Sequence, residues 1–474
     1  MPSTFWKGAA LALACCMVLS LGGCQSGSAR QGESVLVDAV QDQDPQSGYP
    51  MENPPAFFSQ KGEEADTSRV RDSKILHATY TSVNDPVAAT SFSYAPPVYY
   101  EPLTKEEEMR AVWISYLDLK SILTGATESE YRKNLGKALD NIRDLGLNTV
   151  IFQVRPFGDA LYPSAYFPWS FVATGTEGKD PGFDPLAIAI EEAEKRDLAV
   201  EAWINPYRVR TADRKEAISA ANPVNKMLKS GDALTYNGGT YYNPASEAAQ
   251  ALIVNGVTEL VKNYDITAIH FDDYFYPTTD PEFDADSYAA YQKAGGRLSL
   301  EDWRRENVNT LVRKVYQAVH DTAKEAGKEV RFGISPQGNR SNNYKEQYID
   351  VDLWLREPGY VDYIAPQIYF GFENASRPFA ETAAEWSRQV RLPNIDLYIG
   401  LAPFKLGQTD QWAGDSGKEE WLDTTDILAR MVQTAREQSA YGGFALFRYD
   451  SLFHPSEETA EQVETELANL KDTF

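Results

Sequence analysis

Cysteine is almost missing from this chain of 474 residues, and all three, Cys15, Cys16 and Cys24, fall at its start. Histidine is nearly as scarce. His77, His270, His320 and His454 stand far apart, so neither a His-x-x-x-His pair nor a cysteine pair offers the ligand spacing of a zinc site. The acidic stretch Asp280–Asp286 lacks the spacing of an EF-hand loop and reads as solvated. Neither a metal nor a cofactor is expected. Positive charge is in the minority: 45 Lys and Arg against 69 Asp and Glu leave a net charge of −24. Phosphate binding needs clustered Lys and Arg, so nucleic acid is not an expected partner. Ser335 lacks the second glycine of the Gly-x-Ser-x-Gly elbow that a serine esterase would require.

Apolar runs long enough to span a bilayer are absent as well. The run Ala9–Leu21 behind Lys7 is too short and too poorly flanked for a spanning helix, and reads as a secretory signal. It ends in Leu21-Gly22-Gly23-Cys24, which resembles the lipobox of bacterial lipoproteins. That resemblance implies lipidation of Cys24 as the first residue of the mature chain, on the extracytoplasmic side of a membrane in the cell envelope. No disulfide is then possible within the mature chain. One lipid anchor would tie a soluble domain to the membrane surface. Three segments follow: a lipoprotein signal over 1–23, a largely disordered tether over 24–105 and a folded domain over 106–474. The tether is rich in Gln, Ser, Asp, Pro and Gly without a sustained period. Its last part, His77–Tyr100, holds more aromatics and is able to pack on the domain behind it.

From Glu108 onward, apolar strand-like runs alternate with helical patterns. Eight strands are predicted: Arg110–Tyr116, Asn148–Pro156, Ala199–Tyr207, Ile266–Phe275, Glu329–Gln337, Val361–Phe370, Leu397–Phe404 and Gly443–Asp450. Helices are predicted over Glu128–Leu145, Pro185–Arg196, Ala245–Tyr264 and Leu300–Ala326, and shorter ones over Tyr344–Arg356, Phe379–Val390, Thr425–Ser439 and Ser456–Leu470. Asp184 before Pro185, and Ser299 three residues before Asp302, are helix-start signals, while Gly146 and Gly327 are stops. Eight such units predict an α/β fold closed as a (β/α)8 TIM barrel, with an open doubly wound sheet as the alternative.

Chemistry in that fold sits at the C-terminal ends of the strands. The stretch Ile266–Pro277, ITAIHFDDYFYP, is the focus: a buried strand that ends in Asp272 and Asp273 and runs into Tyr274, Phe275 and Tyr276. Buried carboxylates are costly unless paired or used. The plainer alternative is that Asp272 caps a turn and Asp273 is solvated. Other strands end in Gln153-Val154-Arg155, in Trp203-Ile204-Asn205-Pro206-Tyr207-Arg208, in Ser335-Pro336-Gln337, in Pro366-Gln367-Ile368-Tyr369 and in Arg448-Tyr449-Asp450. Side chains alternate along a strand. The polar parity, taken as the lumen, holds Gln153 and Arg155, Glu201, Trp203 and Asn205, His270 and Asp272, Gln367 and Tyr369, and Arg448. Two loops of about forty and about twenty-five residues follow the third and fourth strands, a length that in compact domains is usually functional. Tyr162, Tyr166, Trp169, Tyr207, Tyr274, Tyr276, Tyr369 and Trp412 supply aromatic walls for a ligand.

Seven runs carry a family resemblance. They are MRAVWIS at 109–115, LGLNTVIFQVRPFGDALYPS at 145–164, DPLAIAIEEAEKRDLAVEAWINPYRV at 184–209, AIHFDDYFYP at 268–277, DWRRENVNTLVRKVY at 302–316, FGISPQGNR at 332–340 and YVDYIAPQIYF at 360–370. From Met109 to Phe453 the chain resembles the glycosyl-hydrolase-like 10 family of bacterial envelope proteins. The resemblance implies a TIM barrel, glycosidase activity and a polysaccharide substrate of the cell-wall glycan class. It puts the family's paired aspartates on Asp272 and Asp273, its Asn-Pro-Tyr turn on Asn205–Tyr207 and its Pro-Gln-x-Tyr turn on Pro366–Tyr369. The family commonly carries His where this chain has Glu201.

Glycoside cleavage needs an acid to protonate the leaving oxygen and a second group to stabilise or attack the oxocarbenium-like centre. Asp272 or Asp273 is the expected acid, because two adjacent carboxylates discourage double ionisation and raise one pKa. By position alone Asp450, Glu201, Glu357 and Asp159 are candidates for the second group. The substrate's own N-acetyl group is an alternative. Arg155, Asp159, Tyr162, Trp203, Asn205, Tyr207, His270, Tyr274, Tyr276, Gln337, Gln367, Tyr369 and Arg448 are the expected substrate contacts. A non-catalytic glycan-binding lipoprotein on the same barrel is the rival reading.

Overall fold

The structure, a computed structural model, describes residues 107–474 apart from residue 215. The expected signal, the lipidated Cys24 and the tether lie outside the described residues. Eight parallel strands close into a barrel. They are β1 (Met109–Ile114), β2 (Thr149–Arg155), β3 (Ala199–Ile204), β4 (Ala268–Phe271), β5 (Arg331–Ile334), β6 (Tyr363–Ile364), β7 (Asp396–Leu401) and β8 (Tyr441–Leu446). Each strand pairs with the next in sequence, and β8 returns to β1 with Val112 opposite Leu446.

The alternation that strands impose divides the barrel's apolar residues into two cores. Val112, Val150, Val200, Ile269 and Phe332 face outward and pack beneath the helices. Ala111, Trp113, Ile151, Trp203, Tyr363, Tyr398 and Ala445 fill the lumen. Space for the Tyr363 ring comes from Gly333 on the neighbouring strand, where a Cβ would meet that ring at 2.0 Å. The barrel is therefore a packed core whose upper rim alone is free for chemistry.

The long helices begin and end where their caps dictate. Thr127 and Glu130 form a reciprocal capping box at the start of Glu128–Leu145, and Gly146 ends it in the left-handed conformation. Asp184 accepts from the amides of Leu186 and Ala187 ahead of Pro185–Glu194. Ser246 caps Glu247–Asn263, and Ser299 caps Leu300–Ala326, which Gly327 stops. Shorter helices over Phe379–Gln389, Ile427–Arg436 and Ala460–Lys471 complete the outer layer.

Prolines shorten several strands relative to their apolar runs. Pro206, Pro336 and Pro366 lack the amide that a ladder needs. Beyond the last two, Gln337 and Gln367 pair only as isolated bridges. The predicted helix Tyr344–Arg356 is instead two pieces, Arg340–Glu346 and Val351–Trp354, with Tyr348 between them at a φ of 58° and Asp350 capping the second. The long segment after β3 folds into an antiparallel sheet of Arg208–Arg210, Gly239–Tyr242 and Ala233–Tyr236. The acidic stretch expected to be solvated supplies a buried ion pair: the guanidinium of Arg304 meets Asp284 at 2.5 Å, with neither side chain exposed.

Candidate active site

Strand β4 stops at Phe271, and Asp272 and Asp273 occupy the next two positions at the barrel mouth. Both are buried. They face opposite ways. Asp272 turns toward β3, where its Oδ2 accepts from Trp203 Nε1 at 3.0 Å and from the Asn205 amide. Its Oδ1 accepts from the backbone N–H of Tyr274 at 3.1 Å. Asn205 is itself fixed, because its Oδ1 accepts from Gln153 Nε2 at 2.6 Å. Asp273 turns toward β5 and β6, where the amides of Gln347, Gln367 and Gln337 surround it.

The electrostatics follow from burial. Loss of solvent, followed by the charge of Asp273, pushes the Asp272 carboxyl up to about 7, against the opposing pull of Arg208 and the Trp203 N–H. Burial likewise raises Asp273, against the amides that favour its ionised form. Two carboxyls on consecutive residues titrate as a unit. The site thus holds a carboxylic acid poised to keep its proton near neutral pH, the property a general acid requires.

Aromatic rings line the rest of the mouth. Arg208 stacks 4.1 Å from the Tyr274 ring and 4.8 Å from Phe157. Trp203, Phe447, Tyr369 and Phe404 form a chain of rings, with centroids of successive rings 6.5, 5.9 and 5.4 Å apart. A polar layer lies one step deeper in the lumen. There Trp113 Nε1 meets His270 Nε2 at 3.3 Å, His270 Nδ1 meets the Tyr363 hydroxyl at 3.0 Å, and that hydroxyl meets Glu201 at 2.7 Å.

Trp203, Asn205, Tyr274, Gln337, Gln367 and Tyr369 are therefore gathered around the two aspartates. His270 lies beneath them. Other expected contacts are elsewhere. A bulge in β2 between Gln153 and Arg155 sets Arg155 opposite Ile204, whose side chain faces the helices, so Arg155 leaves the lumen parity. Its guanidinium stacks 3.9 Å from the Phe167 ring, outside the barrel. Asp159 is fully buried, accepts from the Phe171 amide at 3.2 Å and faces Arg214 at 3.6 Å. Tyr162 packs on Tyr264, and Tyr207 on Phe275, both buried. Tyr276 packs on Tyr348 and Phe283 beside Arg304. Arg448 is held by Asp118 and Asp450. Alternation from Ala445, which faces the lumen, brings Phe447 inward and carries Arg448 off that parity.

The candidates for a second catalytic group separate in the same way. Glu201 belongs to the deeper layer and lies 3.6 Å from His270, not beside Arg155. Asp450 pairs with Arg448 and His454. Glu357 precedes β6, at the end of the barrel opposite the mouth, and pairs with Arg356. Asp159 belongs to the Arg214 cluster. Residues that sequence reasoning did not assign are Arg208, Phe447, Trp113 and Gln347. Period-two counting from Ala445 contains the signal for Phe447, whereas nothing local marks Gln347.

Residues 108–415 match the family described as glycosyl hydrolase-like 10. The chain belongs to that family. Among relatives, it is 39% identical over 323 residues to the glycosyl hydrolase YngK of Bacillus subtilis, covering 64% of this chain and 62% of that protein. It is 35% identical over 348 residues to the glycosyl hydrolase DigH of Escherichia coli K12, covering 68% of this chain and 76% of that protein. The chain therefore spans less than two thirds of the Bacillus relative. Among solved structures, the catalytic domain of a beta-amylase from Paenibacillus polymyxa shares the fold, with a TM-score of 0.51 and 11% identity over 77% of this chain and 98% of that one.

Proposed function

We propose that this protein is a glycosidase of the bacterial cell envelope that cleaves glycan strands of the cell wall, with Asp272 and Asp273 as its acid pair. The observation that carries the reading is the pair itself: two adjacent carboxyls, buried at the mouth beneath aromatic rings, both raised in proton affinity by burial and Asp272 also by the charge of Asp273. In this reading the pair gives its proton to the glycosidic oxygen as the bond to the anomeric carbon breaks. Of the four further carboxylates weighed from the sequence, Glu201 lies in the deeper layer, Glu357 at the opposite end of the barrel, and Asp159 and Asp450 are engaged by Arg214 and Arg448. That favours attack by the carbonyl oxygen of the substrate's own N-acetyl group, oriented by one aspartate while the other donates the proton. Water then opens the cyclic intermediate and returns a proton to the pair. Cell-wall glycan carries N-acetyl groups, which is why this substrate class is preferred over a neutral hexose polymer. The Leu21–Cys24 lipobox supports an enzyme held by lipid on the extracytoplasmic side of a membrane.

The test uses purified cell-wall glycan, with and without stem peptides, and mass spectrometry of the released sugars. Wild type is expected to release defined fragments. Asp272→Asn and Asp273→Asn are each expected to lose turnover by about 10²–10⁴-fold while still binding glycan and melting at the wild-type temperature. Full activity in both folded variants overturns the assignment. Binding without turnover in wild type points instead to a glycan-binding module.

A further inference from the structure

The loops after β6 and β7 are braced into one wall on the side of the mouth that carries Tyr369. Lys405 Nζ donates to the carbonyl of Tyr369 at 2.6 Å and to the carboxylate of Asp410 at 2.7 Å, and both side chains of that ion pair are largely buried. The carboxylate of Glu420 accepts from the amides of Phe372 and Glu373 at 2.9 and 3.0 Å, and Ala375 N–H donates to the Ala413 carbonyl at 2.8 Å. Yet this wall presents Trp412 with 47% of its surface in solvent, more than any other large apolar side chain among the described residues. The same loop buries its other indole, Trp421, completely.

Exposing a tryptophan forgoes much of the stabilisation that burying it would bring, yet its backbone is held in place. The backbone N–H of Trp412 donates to Asp410 Oδ1 at 3.2 Å, so the ring is carried on a backbone already ordered by the Lys405 pair. Exposed aromatics carried on an ordered rim mark binding surfaces, because little backbone entropy is lost when a ligand covers them. The connection to the chemistry is continuous: Trp203 donates to Asp272, its ring leads through Phe447 to Tyr369, and the Tyr369 carbonyl holds Lys405 and hence Asp410 and Trp412.

We propose that Trp412 is the platform of a distal subsite on which a sugar ring of a polymeric glycan stacks, remote from the bond that is cleaved. The proposal rests on the glycosidase reading above and adds that the enzyme distinguishes long strands from short fragments. A ring stacked there contributes to holding the polymer and nothing to the reacting centre.

The full-length protein, wild type and with Trp412→Ala or Trp412→Phe, is assayed on peptide-free glycan strands and on disaccharide and tetrasaccharide fragments of the same glycan. Binding is read by calorimetry and cleavage by product release. Trp412→Ala is expected to weaken binding of long strands, and to lower their kcat/KM, by roughly tenfold through KM, the loss typical of an aromatic anchor. Fragments are expected to react as in wild type, the melting temperature to stay put, and Trp412→Phe to recover part of the loss. Wild-type behaviour of Trp412→Ala on long strands overturns the subsite while leaving the glycosidase reading intact. Equal losses on fragments and strands also overturn it, since they place the ring at the reacting centre. Failure of wild type to bind or cleave glycan of any length removes the glycosidase reading, and the subsite with it.

Discussion

Replacing Trp203 by Phe removes one proton donor from the acid pair and leaves an aromatic ring in place against Phe447. The indole N–H lies 3.0 Å from Asp272 Oδ2 and favours the ionised carboxylate. A hydrogen bond to a charged group contributes about 1.5–3 kcal/mol. At about 1.4 kcal/mol per tenfold change in a protonation equilibrium, its full loss would move the carboxyl upward by about one to two pH units. Asn205 still donates to the same oxygen and takes up part of the loss, so about one pH unit is expected. In the proposed mechanism the active form carries the proton. The high-pH limb of kcat/KM, which falls as the pair ionises, should therefore move to higher pH by that amount, with the low-pH limb unchanged. The assay is kcat/KM against pH on one glycan for both proteins, with melting curves to show that the variant is folded. A high-pH limb that stays put or moves down in the folded variant refutes the claim that Trp203 tunes the acid.

The remaining predictions concern anchoring and stability. Cys24→Ala should move the protein from the membrane fraction to the soluble one, and continued sedimentation with membranes rejects the lipoprotein reading. Asp159→Asn tests the buried Arg214 cluster. Burial raises Asp159 from its ordinary value of 3.8 to about 7, against the pull of Arg214. Between those values the folded chain holds a proton that the unfolded chain releases, so stability falls as pH rises through that window. The amide removes this contribution. The variant's melting temperature should exceed that of wild type at pH 8 and approach it at pH 4, and the reverse order refutes the sign.

How much was legible in the sequence depended on whether the deciding physics was local. Capped helices announce themselves, and Glu128–Leu145 and Leu300–Ala326 run between the residues their caps predict. All eight barrel strands were visible as apolar runs. Their ends were not, because an apolar run continues through Pro336 and Pro366 while the hydrogen-bond ladder does not. Period-two alternation carried Trp203, Asn205 and Gln367 to the mouth beside Asp272 and Asp273. It failed at Arg155, where one bulged residue in β2 reverses every later side chain, and bulges leave no mark in composition. Nor could the burial of Asp284 be anticipated, since its partner Arg304 lies twenty residues away on another element.

The lumen layer beneath the aspartates has a direction. An indole N–H can only donate, so Trp113 obliges His270 Nε2 to accept. A neutral imidazole then carries its hydrogen on Nδ1, facing the oxygen of Tyr363, and the tyrosine's own hydrogen is left to point at Glu201. One tryptophan thereby sets the orientation of the hydrogens along this row, which must end on a group with a lone pair to offer. Position 201 is constrained by bookkeeping of protons rather than by size: a carboxylate closes the row, while an ammonium there would face a hydrogen with no lone pair to receive it. A row wired one way in this manner disfavours rotamer exchange in the layer directly beneath Asp272 and Asp273.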